Sequence, residues 1–149
     1  MRIVVQRVSK ASVSIAGNLH SKISYGFLVL IGICDDDRYD DIEWLTRKII
    51  NLRVFGDELG KMNRSIQDVN GEILIVSQFT LFASVKKGNR PSFVASARPE
   101  IAIPLYKKFI DVLKQYDIKI QTGVFGANMQ IELVNDGPVT IIIDSKNKE

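Results

Sequence analysis

The stretch NDGPVTIIID, residues 135–144, joins a strand pattern to a residue pair that usually ends a strand. Its second half, VTIIID, is a run of β-branched residues with high strand propensity. Gly137-Pro138 precedes that run, although proline cannot donate a hydrogen bond to a ladder and the pair is typical of turns. We therefore expect the strand to begin after Pro138, with the dipeptide outside the ladder.

Further short strand patterns occur along the whole chain, separated by turn residues. We predict strands at residues 3–8, 11–15, 27–33, 72–82, 118–122, 129–134 and 139–144. The segment EILIVSQFTLF, at 72–82, has the strongest pattern of all. Residues 56–71 are rich in turn formers and are predicted to form a surface connection.

Two segments have the apolar spacing of helices, residues 39–52 and about 100–116. Their apolar stripes consist of Ile42, Leu45, Ile49, Leu52, Leu105, Phe109 and Leu113, and the second stripe is widened by Tyr106, Ile110 and Val112. The order of strands and helices shows no regular β-α-β alternation. The sequence therefore predicts an α+β domain, in which a small antiparallel-rich sheet curls toward a barrel and the two main helices lie on one side.

The chain length and composition predict a single globular domain, residues 1–149. Hydrophobic residues make up 46% and charged residues 25%, as in ordinary globular proteins. No apolar run approaches the roughly 20 residues of a membrane span, and the first residues do not resemble a signal peptide. We expect a soluble, cytoplasmic protein with no membrane partner, and its net charge of +3 permits an anionic partner.

The chain offers few residues for metal or histidine chemistry. Its only histidine, His20, lies in a polar, turn-like stretch, and its only cysteine, Cys34, follows an apolar run typical of a buried thiol. These two residues cannot form a zinc site. The aspartates at 35–37 suit the start of the first helix better than a metal site, because no second oxygen-rich cluster accompanies them. An enzyme with this sequence would work without a cofactor, a metal or a histidine base.

Polar and basic residues occur where the patterns are otherwise apolar. In the strand predicted at 72–82, Ser77, Gln78 and Thr80 interrupt the apolar run. Either the two hydroxyls face outward and Gln78 caps an edge, or the strand end lines a pocket, since neither face is wholly apolar. The segment KKGNR, at 86–90, is either a solvated loop or a loop that contacts phosphates.

Four segments carry a resemblance to a known family: SQFTLFA, KKGNRPSF, TGVFGANMQ and NDGPVT. In this order and at these separations they resemble the D-aminoacyl-tRNA deacylases, a family of chirality-checking hydrolases. MRIVVQRVSKASVSI and KIINLRVF also match, so the resemblance covers residues 1–144. It implies a barrel-like α+β fold, a homodimer, no cofactor, and hydrolysis of D-aminoacyl-tRNA to the free amino acid and tRNA.

The resemblance also implies roles for two short motifs. The family's SQxTL motif supplies the catalytic residues, which correspond here to Ser77, Gln78, Phe79 and Thr80. Its NxGPxT motif corresponds to Asn135, Gly137, Pro138 and Thr140. In the family the Gly–Pro bond is cis, and the motif of one subunit enters the active site of the other. The two carbonyls of this Gly-cisPro dipeptide would clash with the Cβ of an L-aminoacyl ester, whereas D-aminoacyl and glycyl esters would fit.

The chemistry that the resemblance implies relies little on side chains. The 2′-hydroxyl of the terminal adenosine would assist ester cleavage, and the N–H groups of Phe79 and Thr80 would stabilise the oxyanion. Thr80 as a covalent nucleophile is the rival mechanism, although it has no evident base. A different function also fits the basic segment, namely a non-catalytic nucleic-acid-binding dimer of the same fold.

The remaining candidates are residues that would contact the tRNA. Phe125 and Met129 are candidates for binding the adenine, and a packed core aromatic is the alternative for Phe125. Lys86, Lys87 and Arg90 are candidates for contacts with the acceptor-stem phosphates. Together these residues predict a substrate whose terminal adenosine is buried and whose backbone remains near the surface.

Overall fold

The computed structural model describes residues 1–148. Within this range the elements follow one another as β1 (Arg2–Ile15), β2 (Asn18–Ile23), β3 (Gly26–Gly32), α1 (Tyr39–Asn51), β4 (Phe55–Gly56), β5 (Met62–Arg64), β6 (Glu72–Ser77), a 3₁₀ turn (Phe79–Phe82), α2 (Pro99–Leu113), β7 (Ile120–Thr122) and β8 (Gln130–Asp144). No helix among these is both long and apolar enough to cross a membrane.

The long strand β1 organises a six-stranded sheet. One edge of β1 pairs with β8 over the length of both strands, and the other edge pairs with β3 and then with β2, all antiparallel. Beyond β3 lie β6 and β7, both parallel to their neighbours. The two ends of this path approach each other, because the Ser21 hydroxyl of β2 donates a hydrogen bond to the Thr122 carbonyl of β7 at 2.9 Å. The sheet is a nearly closed barrel, which confirms the predicted fold class.

Two β-α-β crossovers are present that the sequence analysis did not predict. The helix α1 lies between the parallel strands β3 and β6, and α2 lies between the parallel strands β6 and β7. The alternation is hard to see in the sequence because the small β4–β5 hairpin follows α1, in the segment predicted to be a plain connection, and because β7 has only three residues. The sheet is therefore mixed.

The strands β1 and β8 are each continuous where the sequence patterns predict two separate strands. Gln6 pairs with Thr140 and Val8 pairs with Asn135, so the single residue Arg7 lies opposite residues 136–139. Gly137 and Pro138 are inside this bulge, where no ladder hydrogen bond is required of the proline. The expectation that the strand begins after Pro138 is therefore wrong: the strand begins before the dipeptide, and the bulge accommodates it.

The apolar residues form two cores, one on each side of the sheet. The larger core lies between the sheet and the two helices and includes Phe27, Phe55 and Phe109, all almost fully buried. The smaller core lies inside the curled half of the sheet, around Val13 and Leu74. The apolar stripes predicted for the helices face the larger core, since Leu45 and Phe109 are both fully buried there.

A buried carboxylate at the start of α1 fastens the C-terminal segment to the fold. It belongs to Asp41, and it accepts hydrogen bonds from the Arg38 N–H and the Lys146 ammonium, both at 2.8 Å. Of the aspartates at 35–37, Asp37 is also buried, and its carboxylate lies 3.9 Å from the same ammonium. Burial alone would raise the pKa of Asp41, but hydrogen bonds from Lys146, Ser145 and Arg38 outweigh burial and lower the pKa to about 2. The ionised carboxylate therefore stabilises the fold above about pH 4, and this contribution is lost as the pH falls toward 2.

Replacing Asp41 by asparagine should lower the free energy of unfolding at pH 7 by roughly 1–2 kcal/mol, because the ion pair between the buried Asp41 carboxylate and the exposed Lys146 ammonium is lost. Urea unfolding at a series of pH values measures this difference, which should shrink between pH 4 and pH 2. Asp40→Asn is the matched control, since Asp40 is an exposed residue in the same helical turn. A difference that stays constant down to pH 2 would contradict this role of Asp41.

Candidate active site

An apolar pocket of about 290 Å³ lies at the carboxyl ends of the parallel strands β3 and β6. This is the edge at which α/β sheets commonly bind ligands. Its lining comes from the strand ends, from the 3₁₀ turn, from Ala102 of α2 and from the segment before β8. The wall of the pocket includes Ser77, Gln78, Phe79, Phe125 and Met129. Two groups of residues that are far apart in the sequence are thus brought together.

The end of β6 differs from the strand predicted at 72–82. The strand stops at Ser77, and the chain then turns, with the Leu81 N–H donating to the Gln78 carbonyl at 3.2 Å. Gly32 of β3 makes room for this turn, because a Cβ at that position would lie 3.1 Å from the Gln78 carbonyl oxygen and 3.0 Å from the Cβ of Leu81. The strand is therefore shorter than predicted, but its end does line the pocket: Ser77 and Gln78 are half-buried in the pocket wall, and Phe79 and Thr80 are exposed in the turn.

The 3₁₀ turn presents backbone N–H groups at the mouth of the pocket. The N–H groups of Phe79 and Thr80 precede the first hydrogen bond of the turn, so the turn itself provides no acceptor for them. The Gln78 side-chain amide donates a hydrogen bond to the Thr80 hydroxyl. An arrangement of N–H groups without backbone acceptors beside an apolar pocket can stabilise negative charge on an oxygen atom.

Contacts from outside the turn hold it in place. The Ser96 hydroxyl donates to the Phe79 carbonyl at 2.7 Å, and the Arg2 guanidinium donates to the Leu81 carbonyl at 2.8 Å. Arg2 also binds the Asp144 carboxylate of β8 at 2.8 Å, which joins the turn to the β1–β8 ladder. The sequence analysis missed both Ser96 and Arg2, since a lone serine after a basic loop and an arginine in a strand are ordinary surface patterns.

The two residues predicted to bind adenine, Phe125 and Met129, are both half-buried in the pocket wall. Tyr106 of α2 supports them, with its ring 5.7 Å from that of Phe125 and its hydroxyl donating to the Ile75 carbonyl at 3.2 Å. Burial raises the pKa of Tyr106 to about 12, so the hydroxyl remains a donor. Tyr106 is a further residue that sequence reasoning counted only as part of an apolar helix stripe.

The predicted phosphate contacts are all in one exposed loop beside the turn. Lys86, Lys87 and Arg90 are exposed, and the loop is closed at its base by two backbone hydrogen bonds between Ser84 and Ser92, at 2.8 and 2.9 Å. The loop thus presents three cations on a short hairpin-like projection. Among the described residues no cluster of histidine, cysteine, aspartate and glutamate is suited to bind a metal ion.

The bulge that contains Gly137 and Pro138 is braced by side chains on both sides. The peptide bond between these two residues is cis. The Asn135 side chain accepts a hydrogen bond from the Val139 N–H and donates one to the Thr140 hydroxyl, both at 3.0 Å. Arg7 donates to the Asp136 carbonyl at 3.1 Å and to the Val54 carbonyl.

Position 137 accepts only glycine without strain. Its φ angle is +129°, and a Cβ there would lie 2.9 Å from the Nη2 of Arg7. Arg7 was also missed by the sequence analysis, because a cation in an alternating strand is normally a solvated residue. The bulge is therefore an exposed backbone projection with a fixed shape.

Within one subunit the two motifs are separate. Gly137 and Pro138 line a shallow cavity together with Arg7, Tyr25 and Met62, and this cavity shares no lining residue with the pocket beside Gln78. The structure thus brings the predicted catalytic residues together with the predicted adenine contacts, but not with Gly137 and Pro138.

The family described as D-Tyr-tRNA(Tyr) deacylase matches this chain over residues 4–144. A D-aminoacyl-tRNA deacylase of Cytophaga hutchinsonii is 62% identical over 150 residues, and one of Parabacteroides distasonis is also 62% identical, each with 100% of both chains covered.

Solved structures are similar as well. One, of a protein called "c-Myc DNA Unwinding Element Binding Protein", has a TM-score of 0.91 and 47% identity, covering 97% of this chain and 98% of that one. A second, of a probable eukaryotic D-amino acid tRNA deacylase, has a TM-score of 0.80 at 17% identity, over 95% of this chain and 97% of that one, and indicates a shared fold.

The barrel-like fold thus occurs in a class of aminoacyl-tRNA hydrolases. The chain belongs to the D-Tyr-tRNA(Tyr) deacylase family. The family and the enzyme class predicted from the sequence are confirmed. The roles of the individual site residues stay predictions.

Replacing Ser96 by alanine should lower kcat for ester hydrolysis roughly three- to tenfold and leave KM almost unchanged, because the Phe79 carbonyl loses the hydrogen bond that orients the turn. Threonine at position 96 retains the hydroxyl and should restore most of the rate. Steady-state deacylation kinetics of the two variants measure kcat and KM, and a melting curve for each variant shows that it is folded. An equal loss of rate in both variants would contradict a positioning role for the hydroxyl.

Proposed function

We propose that this chain hydrolyses the ester bond of D-aminoacyl-tRNA, releasing the free D-amino acid and tRNA. The proposal further states that glycyl-tRNA is cleaved and L-aminoacyl-tRNA is rejected. The observation that carries it is the presence of both signature motifs, SQFTL and NDGPVT, in a chain that is 62% identical to named deacylases over its full length. We assign this editing activity to the cytoplasm, where tRNA is charged.

Cleavage would depend on position and on backbone dipoles more than on side-chain acids or bases. The terminal adenosine binds in the pocket, with its base against Phe125 and Met129. A water molecule, assisted by the 2′-hydroxyl of the substrate, adds to the ester carbonyl. The N–H groups of Phe79 and Thr80 stabilise the oxyanion, and the 3′-oxygen takes a proton and leaves as the tRNA hydroxyl. Ser77 and Gln78 shape the wall beside the reacting ester.

Chiral selection would come from the Gly137 and Pro138 carbonyls of a second subunit. Since this dipeptide is exposed and lies in a different cavity from Gln78 of its own subunit, it can reach a pocket only across a homodimer interface. The bracing of the bulge by Arg7 and Asn135 supports this role. A backbone group that excludes a substrate by steric clash must keep its position when the substrate approaches. A D-aminoacyl ester directs its Cα hydrogen toward the carbonyls, whereas an L-aminoacyl ester directs its Cβ there.

The tRNA backbone would be bound through the basic loop. Lys86, Lys87 and Arg90 are exposed beside the pocket, where the acceptor end of the substrate would leave it. Each cation that contacts a phosphate releases a counterion on binding, so affinity for tRNA should fall as the salt concentration rises.

Deacylation of D-Tyr-tRNA, L-Tyr-tRNA and Gly-tRNA by the purified protein tests this proposal. The D-tyrosyl and glycyl esters should be cleaved well above their spontaneous rates, because neither presents a Cβ to the carbonyls, and the L-tyrosyl ester should decay at its spontaneous rate. Each charged tRNA without protein is the matched control. Equal cleavage of both tyrosyl esters, or cleavage of neither, would overturn the proposal.

Replacing Thr80 by alanine should leave most of the activity, because the reaction uses the substrate 2′-hydroxyl and not the threonine oxygen. The Thr80 hydroxyl accepts a hydrogen bond from the Gln78 amide, which cannot act as a base. A D-Tyr-tRNA that ends in 2′-deoxyadenosine should, by contrast, be cleaved much more slowly by the parent enzyme. A folded but inactive Thr80→Ala enzyme, together with unchanged cleavage of the deoxy substrate, would favour a covalent mechanism.

A second candidate function is nucleic-acid binding without catalysis. It is favoured by the similarity, at 47% identity, to a solved protein whose name describes binding to a DNA unwinding element, and by the exposed basic loop. Two duplex DNAs, one with and one without an unwound segment, are titrated with the same protein preparations that are used for deacylation. The measured DNA affinity distinguishes the two functions. Tight DNA binding without any ester cleavage would favour this second function.

A further inference from the structure

Two aromatic rings lie at the mouth of the pocket, outside both apolar cores. Phe79 is 56% exposed and Phe93 is half-buried. Their centroids are 5.0 Å apart and their planes meet at 72°, so the edge of one ring contacts the face of the other. Neither residue packs in either core. The folding of the barrel therefore does not account for this pair.

The pair is held rigidly at the base of the basic loop. Phe93 directly follows Ser92, whose backbone bonds to Ser84 close the loop. The Ser96 N–H donates to the Phe93 carbonyl at 3.0 Å, and the Ser96 hydroxyl donates to the Phe79 carbonyl at 2.7 Å. One serine thus ties the two aromatic residues together, and their ring surface is exposed beside three cations.

The position of the pair matches the path of a single strand that leaves the pocket. Phe79 also lines the pocket wall, so that an adenosine against Phe125 has the Phe79 ring at the exit. Unpaired nucleotides are typically bound by bases stacking on aromatic side chains, with cations on the backbone. A partly exposed aromatic pair at the base of the loop that carries Lys86, Lys87 and Arg90 combines both features.

We propose that Phe79 and Phe93 form a stacking site for the base of the nucleotide that precedes the terminal adenosine. The neighbouring loop, residues 84–92, contacts the phosphates on either side of that nucleotide. This inference rests on the proposed function and adds a second nucleotide subsite to it. The site recognises the chemistry of an unpaired base and does not read its identity, because every base has a flat face.

Esters of increasing length test the proposal: D-tyrosyl-adenosine and the D-tyrosyl ester of the dinucleotide cytidylyl-adenosine. The measured quantity is the ratio of kcat/KM between the dinucleotide and the adenosine ester, taken within each protein. In the parent enzyme we expect a ratio of roughly 5 to 100, as expected for one stacked base. Phe93→Leu should bring the ratio close to one, whereas Phe93→Trp, which retains a stacking ring, should preserve it.

Val94→Ala is the matched control, since Val94 is 89% exposed in the same segment but belongs to no ring pair. It should leave the ratio at the parent value. A parent ratio near one would overturn the proposal. So would a Phe93→Leu enzyme in which both esters slow by the same factor, because that result means Phe93 only supports the turn.

Failure of the proposed function gives a different result. The deacylase function fails if D-Tyr-tRNA itself is not cleaved. In that case, or if neither short ester is cleaved, the stacking site is judged by equilibrium binding of uncharged cytidylyl-adenosine and adenosine. Tighter binding of the dinucleotide that Phe93→Leu abolishes would still support the site. Equal binding of the two compounds would overturn it.

Discussion

The antiparallel ladder between β1 and β8 is the interaction on which the rest of the structure depends. It pairs the two longest strands from end to end and places residues of both strands against the main core. The larger of the two breaks in its register, opposite Arg7, projects Gly137 and Pro138 from the surface. At its end the Arg2–Asp144 pair reaches the 3₁₀ turn through the Leu81 carbonyl. This one ladder therefore positions both the NDGPVT bulge and the turn of the SQFTL segment.

The pocket is lined mainly by apolar residues, so few polar side chains mark it. Two parallel strands end at its floor, and the chain turns there instead of continuing because Gly32 leaves space for the Gln78 carbonyl. The polar side chains at its edge, Gln78, Thr80 and Ser96, hydrogen-bond within the turn. In the mechanism proposed above, the N–H dipoles of the turn would stabilise the oxyanion without a titrating residue.

Much of the fold could be predicted from local patterns, but the site could not. Continuous apolar runs located β3 and β6, which are buried on both faces of the sheet, and the 3.6-residue period located both helices, which bury one face. The same patterns missed the end of β6 at Ser77, which depends on a glycine of a different strand. They also split β8 in two, because a pattern cannot distinguish a proline in a bulge from one that ends a strand. The site residues were assigned by family resemblance, not by periodicity.

The sequence alone determined the fold class, the family and the two motifs, because apolar spacing and short signature segments are local properties of the chain. Only the tertiary structure decided that Arg7 and Asn135 brace the bulge, that Phe125 and Gln78 share one pocket, and that NDGPVTIIID is one uninterrupted strand with a bulge. Apart from the local hydrogen bonds of Asn135, these facts depend on contacts between residues more than 40 positions apart, and a strand pattern carries no information about which partner its edge will meet.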